Sequence, residues 1–304
     1  MRDISIESLE QLGYGGTCTV FALDADVALK AFRADMPEKN VMGEWTRARA
    51  AWEAGVPSAE PHELVEVSGE GFGLGIVFER MTGMTLAQQV EADELPVEDC
   101  ARMLGELLAR LHEVRVDPAA FEDQRTVFAG YARRLAEPDI DVLSQEEAGQ
   151  LGALYEALPR VTSFVHGDFH AGNVMRSASG ELALIDLEGA GSGHPLLDWS
   201  GTWQAYDLIP SLDPGCCAKY VGVSADKALA MLDPMLRAYL GTDDEGQLAR
   251  WHRLMEAFGY AKYACMIARD PNPWIDRPGV AQMVREHVLA PLDELLGELG
   301  LLGE

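Results

Sequence analysis

Residues 164–188 read FVHGDFHAGNVMRSASGELALIDLE. Two short apolar runs, 164–165 and 182–185, each end in polar residues. His166, Asp168, His170 and Asn173 follow the first, and Asp186 and Glu188 follow the second. A strand that stops at a carboxylate holds that group at a sheet end, aimed without the mobility of a long loop. Between the runs, 176–180 carries Ser177, Ser179 and Gly180, the composition of a hairpin turn. Closing that hairpin would bring Asn173 and Asp186 together. Hard oxygen donors placed this way suit magnesium, which takes one or two carboxylates and fills its shell with nucleotide phosphates. Phosphoryl transfer asks little else of a protein than such a metal site and a carboxylate facing the attacking hydroxyl. Asp168 is the residue placed to be that carboxylate.

The spacing from Asp168 to Asn173 is that of the protein-kinase catalytic loop, and Asp186 takes the place of the Asp in D-F-G. On these residues the chain resembles the aminoglycoside phosphotransferase and choline kinase-like family of small-molecule kinases. That family is marked by H-G-D-x-x-x-x-N, here HGDFHAGN, and by I-D-[FWL]-[DE], here IDLE. The resemblance implies an α+β, bilobal protein-kinase-like fold. Residues 1–83 would form an N-lobe of a small antiparallel sheet with one helix and a glycine loop. Residues 84–304 would form a mainly helical C-lobe with the catalytic loop, metal site and acceptor site. It implies ATP or GTP with magnesium as cofactors, and γ-phosphoryl transfer to a hydroxyl of a small molecule. The acceptor expected first is aminoglycoside-like, with choline, an amino sugar or another metabolite as alternatives. Asp168 would be the catalytic residue and Asn173 and Asp186 the metal ligands. His166 and Asp198 would support the loop, Asp198 from the helix that follows.

The glycine loop belongs to the same pattern. Residues 11–32 read QLGYGGTCTVFALDADVALKAF, with Gly13, Gly15 and Gly16 in a turn between an N-terminal strand and the alternating run 17–23. A second alternating run follows at 27–32. Strand, loop, strand excludes the dinucleotide fingerprint, which must open a helix, and no Walker A sequence is present. It matches the kinase loop G-x-G-x-x-G-x-V with Val20 in register, although Cys18 stands at the third glycine and should stiffen the loop. Lys30, in VALK, falls where the nucleotide lysine of V-A-I-K falls. Residues 38–55 read as a helix ending before Pro57, and Glu44 on it is the candidate partner of Lys30, with Glu38 and Glu53 as competitors. Runs 63–67 and 72–79 read as strands, and 79–81 resembles the hinge whose backbone, around Glu79 to Met81, meets the adenine edge. A helix is expected at 84–90.

Further on, apolar residues at helical spacing predict a helix over 97–114, carrying His112 as a hydrogen-bonded core residue. Helices are expected at 127–135 and 145–158. Asp198 lies only twelve residues beyond Asp186, too close for the activation segment with which a protein kinase docks a polypeptide. The acceptor is therefore expected to be small. The last hundred residues predict helices at 225–239, 245–269 and 280–299, with Pro234 and Pro291 kinking or splitting the first and last. Acceptor contacts are sought there among Trp203, Tyr206, Glu256, Tyr260, Asp270, Trp274 and Asp276.

Composition narrows the partners. A net charge of −26 argues against nucleic acid, whose binding rests on Lys and Arg neutralising phosphates. It suits a cationic acceptor through a general negative field, and simple solubility accounts for it equally well. No apolar run approaches a membrane span, and MRDISIESLEQLG has no apolar signal core. Five cysteines without a C-x-x-C pair read as reduced thiols of a cytoplasmic protein, and the oligomeric state is left open. Two other classes stand beside the kinase. The alternation His166, Asp168, His170 could serve a zinc hydrolase, and a nucleotide-binding regulator without catalysis would keep every motif but have no use for Asp168.

Overall fold

The structure is a computed structural model, and it describes residues 1–270 and 276–302. In chain order the elements are β1 (Asp3–Ser5), β2 (Gln11–Tyr14), β3 (Cys18–Ala22), β4 (Val27–Arg33), α1 (Glu38–Glu53), β5 (Pro61–Ser68), β6 (Phe72–Glu79) and β7 (Met84–Thr85). Helices α2 (Leu86–Glu91), α3 (Val97–Glu113), α4 (Gln124–Arg134) and α5 (Gln145–Ala157) follow, then β8 (Phe164–Val165), β9 (Val174–Arg176), β10 (Leu182–Leu184) and β11 (Gly191–Ser192). The chain continues through α6 (Leu196–Trp203), a π-helical stretch Gln204–Leu208, α7 (Ile209–Leu212), α8 (Pro214–Tyr220), α9 (Ala225–Leu229), α10 (Leu232–Leu240) and α11 (Glu245–Arg269). It closes with α12 (Arg277–Val284), a second π-helical stretch Arg285–Leu289, and α13 (Leu292–Gly300). This is the mixed α+β architecture expected, sheet first and helices after.

The chain divides into two compact units, Met1–Leu86 with Gly172–Gly189, and Ala87–Ala171 with Ala190–Glu304. By this division the first unit runs to Leu86, beside the expected boundary after residue 83, and takes in a later segment as well. The hairpin of Asn173 and Asp186, expected in the C-lobe, packs with the first unit. Its strand β9 pairs with β7, and the Leu184 N–H donates to the Pro57 carbonyl at 2.7 Å. The helix expected at 84–90 starts later for the same reason, because Met84 and Thr85 are taken up as a strand against β9.

In the first unit, β1–β6 form one sheet in the order β1-β5-β6-β4-β3-β2, antiparallel except for β1, which runs parallel to β5. The alternation of VALKAFR in β4 explains its two faces. Leu29 and Ala31 pack with Phe21, Val65, Val67 and Val77 on one side. Phe32, on the other, packs with Ile76 and with Val41 of α1. Lys30 shares the side of Phe32, and so faces the helix.

The second unit is helical around α3 and α11. On α3 the stripe Leu104, Leu107, Leu108 and Leu111 is fully buried. Helix α11 is as long as its sequence pattern requires and buries Leu254, Phe258, Ala261 and Cys265. The helix expected over 225–239 is split at Ala230 and Met231. Pro234 falls in the first turn of α10, where a missing N–H costs nothing. That expected over 280–299 is interrupted before α13 at Pro291.

Candidate active site

In the first unit, the glycine turn is shorter than its three glycines suggest. Gly13 is not in the turn but in β2, paired with Val20 after a register shift. The turn is closed by the Gly15 N–H donating to the Cys18 carbonyl at 2.8 Å. A Cβ at Gly13 or Gly16 would meet no protein atom, so packing within the protein does not require glycine there. Burial pushes the Cys18 thiol up, which makes it a poor nucleophile.

Lys30, opposite Val20 in the β3–β4 ladder, reaches α1 and the hairpin together. Its Nζ is 2.6 Å from Glu44 Oε1 and 3.3 Å from Asp186 Oδ1. The competitors stand elsewhere: Glu53 pairs with Arg49, and Glu38 occupies the first turn of α1. Burial alone would lower the Lys30 ammonium, but Glu44 and Asp186 more than reverse it, so the group stays protonated. Burial pushes the Glu44 carboxyl up while Lys30 draws it back, and at this distance the pair is ionic.

The hairpin forms as its turn residues require, with β9 and β10 antiparallel and the Ser177 N–H donating to the Glu181 carbonyl. Past its ends the Ile185 N–H donates to the Asn173 carbonyl at 3.0 Å, which holds the segments of Asn173 and Asp186 side by side. Asp186 itself has φ of 62°, a left-handed conformation that non-glycine residues rarely adopt. An amide and a carboxylate carried on such neighbouring segments are of the hard-oxygen type that magnesium takes from a protein. Helix α1 also reaches this segment, a contact with no signal in the motifs. Arg47, one turn beyond Glu44, donates to the carbonyls of Leu187 and Glu188, at 3.4 and 2.9 Å. At the hinge, the N–H groups of Glu79 and Arg80 donate to Glu60 and Asp26 carbonyls, so Met81 is the first residue of 79–81 beyond those bonds.

In the second unit, Asp168 lies on the loop after β8, its side chain 69% exposed. The loop is held from one helical stripe: Asp198 and Thr202 on α6 and Tyr206 in the π-helical stretch stand at i, i+4 and i+8. Asp198 Oδ2 accepts from the His166 N–H at 2.9 Å, and Oδ1 from the Gly167 N–H at 2.6 Å. Thr202 donates to the Phe169 carbonyl, and the Tyr206 hydroxyl accepts from the Ala171 N–H at 2.7 Å. Tyr206, sought as an acceptor contact, is fully buried and spends its hydroxyl on the loop instead.

His112 Nε2 is 3.2 Å from Asp198 Oδ2 and its Nδ1 is 2.9 Å from the Tyr239 hydroxyl. A carboxylate only accepts, so the network assigns the proton to Nε2, with Tyr239 donating to Nδ1. Burial would raise the Asp198 carboxyl, but His112 and the loop N–H hold it below the ordinary value. His166 is fully buried, and its Nδ1 is 3.3 Å from the Asp168 N–H. His170 Nε2 stands 3.6 Å from Asp168 Oδ2. The protein packed around the loop pushes Asp168 up although its side chain reaches solvent; the bond and charge of His170, then Lys262 and His166, outweigh this and hold the carboxyl below the usual range. Lys262 of α11 is the cation here that sequence patterns did not reveal.

Among the remaining acceptor candidates, Trp203 lies against Tyr260 with ring centroids 4.9 Å apart, and Tyr260 stacks on His287 at 4.2 Å. Glu256 is 3.1 Å from His287 Nδ1. Asp270 is the exposed cap of α11, and Asp276 caps α12 by accepting from the Gly279 N–H. Trp274 lies outside the described residues. Among the described residues no three His, Cys, Asp or Glu side chains are grouped to hold a metal, so the zinc arrangement of His166, Asp168 and His170 is not assembled. No described helix is long and apolar enough to cross a membrane.

A sheet with its lysine paired to a helix glutamate, followed by helices behind an Asp-bearing loop, defines the protein-kinase-like class of phosphotransferases. The model of the APH phosphotransferase enzyme family matches residues 13–222, and the chain belongs to that family. It is thus an enzyme of the small-molecule kinase class. Solved structures agree on the fold. An ethanolamine kinase of Plasmodium vivax superposes with a TM-score of 0.58 at 13% identity, covering 95% of this chain and 85% of that one. A ternary complex of the aminoglycoside phosphotransferase APH(2")-IIa with streptomycin and ATP gives 0.55 at 15%, covering 96% and 93%. APH(4)-Ia gives 0.55 at 16%, covering 97% and 91%. A comparison with curated protein sequences returns no significant match.

Proposed function

We propose that the protein transfers the γ-phosphoryl group of ATP or GTP to a hydroxyl of a small, cationic molecule, with magnesium. The observation that carries this reading is Lys30, an ammonium gripped by Glu44 and Asp186 at the edge of the glycine turn. In a chain of net charge −26, a cation held in place beside a metal-type carboxylate suits a polyphosphate. Gly13 and Gly16, which packing does not require, leave the backbone approachable by phosphates. The backbone beyond Arg80, at Met81, would take the adenine edge, with Glu79 closing the strand before it. Asn173 and Asp186 would hold magnesium, which would supply positive charge against that of the phosphates.

Asp168 would accept a hydrogen bond from the acceptor hydroxyl and orient its oxygen. As the new P–O bond forms, the bond to the leaving nucleoside diphosphate breaks, and the hydroxyl proton passes to Asp168 and on to solvent. His166 and Asp198 would keep the loop in place. The acceptor favoured is aminoglycoside-like, with ethanolamine- or choline-like amino alcohols and amino sugars as the alternatives. The relatives named above are an ethanolamine kinase and aminoglycoside phosphotransferases, and the negative field of the chain would draw cationic acceptors in. Unpaired cysteines suit action in the cytoplasm.

The test is a nucleotide-coupled assay of purified protein against a panel of aminoglycosides, amino alcohols and amino sugars, with and without magnesium. Asp168→Asn should then lower kcat by a hundred- to ten-thousand-fold, roughly 3 to 5 kcal/mol of barrier, with KM changing far less. Turnover within a few-fold of wild type in that variant would overturn the mechanism.

A further inference from the structure

Lys262 is a buried ammonium on α11, ninety-five residues from the loop it touches. Burying an ammonium is costly, and a helix interior is more cheaply filled by Leu or Met. Yet the fold makes room for this one. A Cβ on Gly201 of α6 would lie 2.5 Å from Lys262 Nζ, so the glycine leaves the notch in which the ammonium sits. The Phe128 ring covers it from α4, with the centroid 5.8 Å away.

Its hydrogen bond goes to the Gly167 carbonyl, at 2.8 Å. Gly167 has φ of +84°, which glycine adopts freely and other residues resist, so the turn before Asp168 depends on a flexible residue whose setting is fixed by its contacts. Both ends of that residue are held: the N–H by Asp198 and the carbonyl by Lys262. The next residue is Asp168. The charged groups that act on the ammonium are Asp168 on the loop, Asp198 on α6 and Arg269 on its own helix, while His170 and His166 act on Asp168 itself.

We propose that Lys262 is the positioning cation of the catalytic loop, fixing the peptide that carries Asp168 and balancing the charge of its carboxylate during transfer. This rests on the phosphotransfer reading above. It predicts more than a packing role would. Burial pulls the Lys262 ammonium below its ordinary value, against the pull of Asp168 and Asp198, so its proton is lost earlier than a surface lysine's as pH rises. Activity should therefore decline on the alkaline side as that proton leaves. Without the ammonium, Asp168 should take up its proton at higher pH than in wild type.

The experiment compares wild type with Lys262→Met and with Gly201→Ala, whose new methyl pushes the ammonium out of its notch while keeping its charge. In Lys262→Met, kcat should fall at least tenfold with the nucleotide KM within a few-fold. The alkaline limb of the kcat profile should vanish and the acid limb move to higher pH. Carbon-13 NMR of Asp-labelled protein, with Asp168 identified through Asp168→Asn, should show its carboxyl titrating at higher pH in the variant. That signal is read without turnover, so it stands even if no acceptor is found. Should Lys262→Met fail to fold, Gly201→Ala decides, with at least a fivefold loss of kcat and an upward move of the Asp168 titration expected. An unmoved Asp168 titration, or unchanged pH profiles beside a uniform loss of activity, would overturn the proposal.

Discussion

Lys30 is held by two carboxylates, one on α1 and one on the hairpin, and this sets what its loss would do. Lys30→Met keeps most of the stem, so its packing beside Phe32 survives. Glu44 is left buried without its cation, a situation that commonly costs 3 to 5 kcal/mol. Burial already pushes that carboxyl toward its protonated form, so it can shed the charge, and the cost should stay near 1 to 3 kcal/mol. Turnover should fall further, a hundredfold or more at saturating nucleotide, about 3 kcal/mol of barrier. Urea unfolding and steady-state kinetics on the same preparation separate the two effects. Wild-type turnover in Lys30→Met would remove the lysine from any phosphate role.

Among the elements, the close crossing of α3 and α10 bears on the site. A Cβ on Gly105 would lie 2.2 Å from the Met235 carbonyl and 3.0 Å from the Tyr239 nitrogen. Backbone atoms cannot swing aside as a side-chain tip can. The close approach also brings Tyr239 to His112, and His112 to Asp198. Gly105→Ala should therefore cost roughly 1 to 3 kcal/mol of stability by overpacking, read as a lower urea midpoint. A midpoint equal to wild type would mean that the two helices can part freely. The α6 stripe works at the same scale, since the π-helical turn continues the helix far enough for Tyr206 to follow Asp198 and Thr202 onto the loop. Such turns tend to occur at functional sites.

For the whole molecule, fifty acidic residues against twenty-four basic ones predict that mild acid relieves repulsion and favours the compact state. His194 opposes this. Burial is the main cause that lowers its imidazole to about 4, while an unfolded imidazole titrates near 6.5. The unfolded chain thus binds the extra proton first. The stability His194 contributes is complete above about pH 6.5 and is lost as pH falls toward about 4, a loss of roughly 2 to 3 kcal/mol by about pH 4.5. His194→Asn can keep an acceptor for the Leu196 N–H but has no proton to gain. Urea midpoints across that range should drop more steeply in wild type than in His194→Asn, and parallel curves would assign the acid loss to other groups.

Along its length the sequence was most legible where chemistry is local. Asp168, Asn173 and Asp186 lie within nineteen residues, at ends of short strands joined by one turn, so period, turn residues and spacing carry the reading. The VALK alternation placed Lys30 on a defined face for the same reason, and helix lengths followed from apolar spacing and proline. Tertiary structure decided what depends on elements meeting. It chose Glu44 among three glutamates of one helix, because only Glu44 lies where β4 and α1 face each other. Arg47 came to the Asp186 segment from 140 residues away and Lys262 to Gly167 from 95, contacts that leave no period in the chain. The hairpin joined the first unit through β7, and Asp186 took its left-handed backbone, since pairing partners and strain are properties of packed elements. A short-range pattern records which face a residue is on; which residue waits on the opposite face is settled only when the faces close.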